Sequence, residues 1–451
     1  MVRKTIAPST LQEYVQNLAK KEKCSFGLII GQPADEKDYI LHFARTSLNT
    51  TEQQTNQNIS KVSQIPELSV ADHAMHTTRM LPGGLYILGL FFITEENIFK
   101  PINKKLITIL QHVQAQLGNS PWLYGNHANS NERIIVHFNN KGSSFEAHTV
   151  NINSGSMHPV NFTFSEKEMQ WCQLECKFDF NNLMKPVVKE KNATSLKNQL
   201  KTITGSLNTS LKSAVFIFDG QLVNSSDMID CKHKTRRLSK ILHQEDDITE
   251  DHKIINVALL LPTTSKIMPE MDITDNAGSI RILGHIASSV WLHPNTTFEV
   301  ASRAIIEDIV RSFQSRLIMH FDSLTEGEGG FLNDTCSLHE PPRRVQIPLP
   351  HGNVSLSDYL FPGEGAQEAQ MSFQDVLDVQ IATKHAIKDP EGQADLSVYY
   401  SEMASRDSND LPLPSLPTDT NKFMYLLGAG VSIGVLLISL FIHFLREYNI
   451  L

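Results

Sequence analysis

Residues Phe423 to Leu445 read FMYLLGAGVSIGVLLISLFIHFL, an apolar run with no formal charge. As a helix it would be about 34 Å long, enough to cross a hydrocarbon layer of roughly 30 Å. A buried core helix would carry one apolar stripe, whereas this run is apolar on every face. The pattern therefore predicts a transmembrane helix over 423–445. Lys422 flanks one end, Arg446 and Glu447 the other, and Tyr425 and Tyr448 stand at interfacial depth. Only the short tail 446–451 follows, so a single-pass, tail-anchored protein with its body in the cytosol is expected. Within the span, Gly430 and Gly434 form a G-x-x-x-G, and Gly428 with Ser432 a second small pair. Such spacing lets two helices pack closely, giving possible self-association, although glycine is common in membrane helices anyway.

The rest of the chain reads as a folded body. Of 451 residues, 41% are hydrophobic and 20% charged, which suits a real core. The net charge of −9 argues against nucleic acid as a partner. Five cysteines, Cys24, Cys172, Cys176, Cys231 and Cys336, are sparse and odd in number. Neither a disulfide framework nor a clustered zinc site is expected, and reduced thiols are. The N-terminus has no apolar stretch that would serve as a signal peptide. N-x-S/T sequons start at Asn49, Asn58, Asn161, Asn192, Asn208, Asn224, Asn295, Asn333 and Asn353. They would matter only if the body were lumenal.

The periodicity predicts an α+β chain. Thr10 and Glu13 suggest a capping box for a helix with Leu11, Tyr14, Val15 and Leu18 on one face. Strands are expected at 24–32 and 38–46, then a polar loop at 49–60. A short helix, a turn at Pro82, Gly83 and Gly84, and a core strand over 85–93 follow. An amphipathic helix is predicted over 101–117, and a strand pair at 134–138 and 145–152. Later strands are expected at 160–164, 214–218, 254–261 and 279–292. A helix capped by Thr296 and Glu299 should run to about Asp322, with Val300, Ile306, Ile309, Val310, Phe313, Leu317 and Phe321 inward. A hairpin is expected within 343–361. Residues 386–420 hold seven acidic and two basic residues, with Pro412, Pro414 and Pro417, the composition of a flexible tether. The expected organisation is 1–155, 156–385, a tether at 386–421, the span 423–445 and the tail 446–451.

GLIIGQ…KDY…ART, then HAMHTTRMLPGGLYILGLFFIT, then RRVQIPLPHGNVSLSDYLF, with the terminal anchor, resemble the odorant-response-abnormal-four (odr-four) family. The similarity runs in order over nearly the whole chain, most specifically in the MLPGG-to-GLFFIT block. It implies an endoplasmic reticulum membrane protein serving the trafficking of odorant and other G-protein-coupled receptors. It also implies recruitment of the protease that removes the ubiquitin-fold modifier. Residues 1–155 further resemble the MPN (JAMM-like) fold of deubiquitinating metalloproteases. There, two histidines and an aspartate hold zinc, and a glutamate serves as base. Here the equivalent run is Gly89-Leu90-Phe91-Phe92-Ile93-Thr94-Glu95. Phe92 and Thr94 stand in place of the histidines, the downstream Ser and Asp positions fall among Asn103 to Ile107, and Glu22 is out of register for the base. The resemblance thus implies a metal-free pseudo-MPN scaffold with no catalytic residues and no cofactor.

Other chemistry is thin. His73 and His76 are three apart, without an evident third ligand. Cys24 enters a buried strand and nothing activates it. No phosphate-cradling or nucleophile-elbow motif is present. The basic run Lys232, Lys234, Arg236, Arg237 and Lys240 is balanced by adjacent acids and reads as a solvated linker. The expected function is a non-catalytic adaptor, the alternative being a zinc- or thiol-dependent hydrolase of ubiquitin-like modifiers.

Overall fold

The computed structural model describes residues 3–34, 37–47, 59, 61–99, 104–119, 122, 131–186, 196–230, 254–262, 272–276, 280–326, 337–350, 352–381 and 387–392. They all belong to the first of two compact units, Met1–Gln393; the second is Ala394–Leu451. Among the described residues no helix is long and apolar enough to cross a membrane. The predicted span, with Gly428, Gly430, Ser432 and Gly434, lies outside them.

The fold is mixed α/β. An eight-stranded sheet is built from β1 (Lys4–Pro8), β2 (Ser25–Pro33), β3 (Lys37–Arg45), β4 (Tyr86–Thr94), β5 (Glu132–Asn139), β6 (Ser144–Asn151), β7 (Met157–Pro159) and β8 (Asn161–Ser165). Its order is β7-β6-β5-β4-β2-β3-β1-β8. The central strands are buried on both faces, so they read as continuous apolar runs rather than alternating ones. Phe26, Leu28, Leu90 and Phe92 face one core; Ile29, Phe91 and Ile93 face the other. The second face is covered by α1 (Ser9–Lys21) through Leu11, Val15 and Leu18. The first is covered by α2 (Glu67–Met80) and α3 (Lys104–Gly118).

A second sheet comprises β9 (Cys172–Pro186), β10 (Val215–Phe218), β11 (Ile254–Leu260), β12 (Asp272–Asn276), β13 (Ile280–Leu292) and β14 (Ser337–His339). Its order is β10-β11-β9-β13-β14, with β12 also on β9. α4 (Leu196–Lys212) and the long α5 (Phe298–Glu326) pack on its inner face. The hairpin of β15 (Arg343–Pro348) and β16 (Ser355–Leu360), with α6 (Ala366–Leu377), comes late in the chain. Its Val345, Ile347, Leu356 and Leu360 nevertheless belong to the core of the first sheet.

Several expectations are corrected. The Thr10–Glu13 capping box does not form: α1 starts directly after β1 with Pro8 at its N-cap and no side-chain cap, leaving Thr10 inside the helix. Nor does Thr296 cap α5. Its hydroxyl donates to the His293 carbonyl at 2.7 Å, and the N–H groups of Phe298 and Glu299 donate to the carbonyls of Asp227 and Ser225. A loop distant in sequence thus satisfies the helix start. Val300, expected inward, is 39% exposed. The first residues of the expected tether lie against the body: Lys388 bridges Gln346 and Glu391 is buried. Cys172 is disulfide-bonded, whereas reduced thiols were expected. Folding joins cysteines that sequence spacing does not relate. Cys24 and Cys176 are free and buried.

Candidate functional site

The positions expected to lack zinc ligands lie at the end of β4. Phe92 is packed in the first core, and Thr94 is wholly buried. The Thr94 hydroxyl donates to the Glu96 carbonyl at 3.1 Å, and so accepts from His137 Nε2, also at 3.1 Å. Burial pushes His137 below the usual imidazole range, with Glu146 opposing it. Phe99 covers His137 edge-on and lies 4.0 Å, centroid to centroid, from His148. A phenyl ring has no lone pair to give, and the Thr94 oxygen is already engaged. Among the described residues no three His, Cys, Asp or Glu side chains converge to hold a metal.

His73 and His76 share α2, but His73 is committed at both nitrogens. Nε2 donates to the Val376 carbonyl at 2.6 Å, leaving Nδ1 to accept from the Thr46 hydroxyl at 2.8 Å. Its role is to hold the end of α6. His42 Nε2 contacts the Leu377 carbonyl beside it, at 2.8 Å. Burial raises the Cys24 thiol to about 11 and the Cys176 thiol to about 12, so neither is a ready nucleophile at neutral pH.

A cluster of buried polar groups surrounds the Pro82–Gly84 turn. The Gly83 N–H donates to Asp308 Oδ1 at 2.7 Å. Asp308 also takes two bonds from Arg344, at 2.7 and 2.9 Å, and one from the Ser288 hydroxyl at 2.7 Å. The Arg344–Asp308 pair is essentially inaccessible to water. Burial opposes the Arg344 charge, but Asp308 outweighs it and its pKa is raised. Gln32 Nε2 donates to the carbonyls of Gly84 and Trp291, while its Oε1 accepts the His293 N–H. A Cβ on Gly83 would meet the Ala304 carbonyl oxygen at 2.5 Å, and Gly84 has φ +83°. Both glycines are therefore required by close approach and backbone conformation. A second ion pair, Arg316–Glu391 at 2.5 Å, lies nearby; Glu391 also accepts the N–H groups of Ala287 and Arg344.

Sequence reasoning found the turn but missed Asp308, Arg311, Arg316, Arg344 and Glu391. A signal was present: between Asp308 and Leu317, α5 is buried at every position, and polar residues inside such a helix must find polar partners.

These residues do the work of a clasp, tying one turn of the first sheet to α5, β13 and the late hairpin. They define a mixed α/β scaffold whose buried charges are spent on internal bonding. The ODR4-like family model, odorant response abnormal 4-like, matches residues 27–388, and the chain belongs to that family. It is 24% identical over 464 residues to the "Protein odr-4 homolog" of Homo sapiens, covering 99% of this chain and 100% of that one. It is 22% identical over 483 residues to the "Protein odr-4 homolog" of Drosophila melanogaster, covering 96% of each. With "Odorant response abnormal protein 4" of Caenorhabditis elegans it shares 20% identity over 390 residues, 83% of this chain and 78% of the other. The solved structure of UfSP from C. elegans aligns with TM-score 0.42 and 10% identity, over 84% of this chain and 57% of that one.

Proposed function

We propose that the protein is a non-catalytic adaptor of the endoplasmic reticulum membrane, anchored by 423–445. Its metal-free, pseudo-MPN body gathers the protease of the ubiquitin-fold modifier and assists the trafficking of a subset of G-protein-coupled receptors. Family membership carries this reading: the family and its Caenorhabditis elegans relative are named for the odorant response. The occupied Thr94 and His137 groups support it, since nothing there is held ready for a substrate. The test is affinity capture with mass spectrometry from detergent-solubilised membranes. Recovery of the modifier protease and of receptors is expected; capture of neither, with the anchor intact, rejects the proposal. Removing 423–451 should abolish receptor escort yet leave protease binding in solution.

The Cys172 disulfide favours a second reading, in which the body faces an oxidising compartment. Exposed sequons at Asn161, Asn224 and Asn295 would then carry glycans. Deglycosylation decides between the two. No change in mass is expected for a cytosolic body, and a downward shift would establish the lumenal one.

A further inference from the structure

We infer that the outer edge of β15 is a docking groove for an extended, glutamate-bearing segment of another protein, and that residues 387–392 fill it in cis. One edge of β15 pairs with β16. On the other, Arg344 and Gln346 turn their N–H groups outward, and Pro348 has none to offer. Both outward N–H groups end on one segment. Gln346 and Lys388 exchange N–H to carbonyl bonds of 2.8 Å in each direction, the pairing that an added antiparallel strand makes. Three residues on, the Glu391 carboxylate takes the place of the next ladder carbonyl. It accepts the Arg344 N–H at 2.7 Å, the Ala287 N–H at 2.9 Å and the Arg316 guanidinium at 2.5 Å. Asp389 meets Arg343 at 2.9 Å and takes the Gly392 N–H, which turns the segment back.

The segment has the form of a bound peptide. Lys388, Asp389, Pro390 and Gly392 are exposed, Ile387 adds a partly buried apolar contact, and Glu391 is the one buried anchor, its side chain 2% exposed. Release uncovers little apolar area. Its cost is the unpairing of Arg316, 3% exposed, and of the N–H groups of Ala287, Arg344 and Gln346. A carboxylate supplied by another chain removes that cost, so exchange is far easier than plain opening. The groove therefore selects a strand-pairing residue followed three positions later by Glu, the spacing of Lys388 and Glu391. Arg343 at its mouth adds a preference for an acid between them.

Fluorescence polarisation of a labelled peptide of sequence IKDPEG, residues 387–392, with the full chain in detergent tests this. In the wild type, the cis segment lowers the apparent affinity to the fraction of molecules that are open. Glu391→Ala removes the cis anchor and should bind the peptide at least about tenfold more tightly. The same peptide with Gln in place of Glu should lose that gain. No binding to E391A at up to about 1 mM peptide, or equal binding of the Gln peptide, overturns the inference. Should E391A not fold, Lys388→Pro, at an exposed position, removes the bridging N–H and leaves the ion pairs of the body in place. Tighter peptide binding than wild type then supports the groove, and unchanged or absent binding overturns it.

Discussion

At the scale of single residues, the molecule is distinguished by charges far from water. Asp308 and Arg344 satisfy each other and their neighbours. Removing one partner strands the other, at a cost of about 3–5 kcal/mol. Arg344→Met and Asp308→Leu should each lower stability by that order in chemical denaturation. The double variant should cost less than the two single losses combined. Asp358 behaves differently. Burial raises its carboxyl from 3.8 to about 6, against bonds from Tyr359 and Ser372. The folded state therefore holds this proton more tightly than the unfolded one. Its contribution is fully present below pH 4 and is lost as pH rises through about 6. Asp358→Asn should stabilise the body at pH 7 by on the order of 2 kcal/mol and flatten the pH profile between 4 and 7. None of these roles was legible in sequence, because each depends on a partner brought in by folding; Asp308 meets Arg344 from β15 and Gly83 from the turn before β4.

At the scale of elements, much was legible. Strands β2, β4, β5 and β13 and helices α3 and α5 lie near their expected positions, since long apolar runs and 3.6-residue stripes are strong signals. β1 was not seen, because KTIAP has little periodicity and takes its strand form by pairing in parallel with both β3 and β8. α6 was missed because its buried face is narrow: Ala369, Phe373 and Leu377. The Pro82–Gly84 turn was recognised, but its purpose was not. Gly83→Ala should destabilise by roughly 1–3 kcal/mol through overpacking on α5, measurable as a lower denaturation midpoint. For segment 387–392, acidic composition suggested a tether, but Glu391 finds the Arg316 guanidinium and the backbone N–H groups of Ala287 and Arg344. Glu391→Gln should weaken that hold, so hydrogen exchange across 387–392 should quicken in the full chain; unchanged protection would assign the segment's docking to the Lys388–Gln346 pairing instead.

At the scale of the whole body, the order of elements along the chain differs from their order in space. Phe26, Leu90 and Phe92 are strands' worth of apolar surface laid down early, yet Val345, Leu356, Phe373 and Leu377 share their core and come late. A nascent chain must therefore leave the part of this core that the late hairpin and α6 cover exposed through most of its translation, and this surface is an invitation to chaperones and to aggregation. A chain stopped after α5 should bind a hydrophobic dye strongly and lack a cooperative melt, whereas one reaching Gly392 should melt as a unit. Premature termination between the end of α5 and Gly392 would then yield a product that is sticky rather than merely shortened.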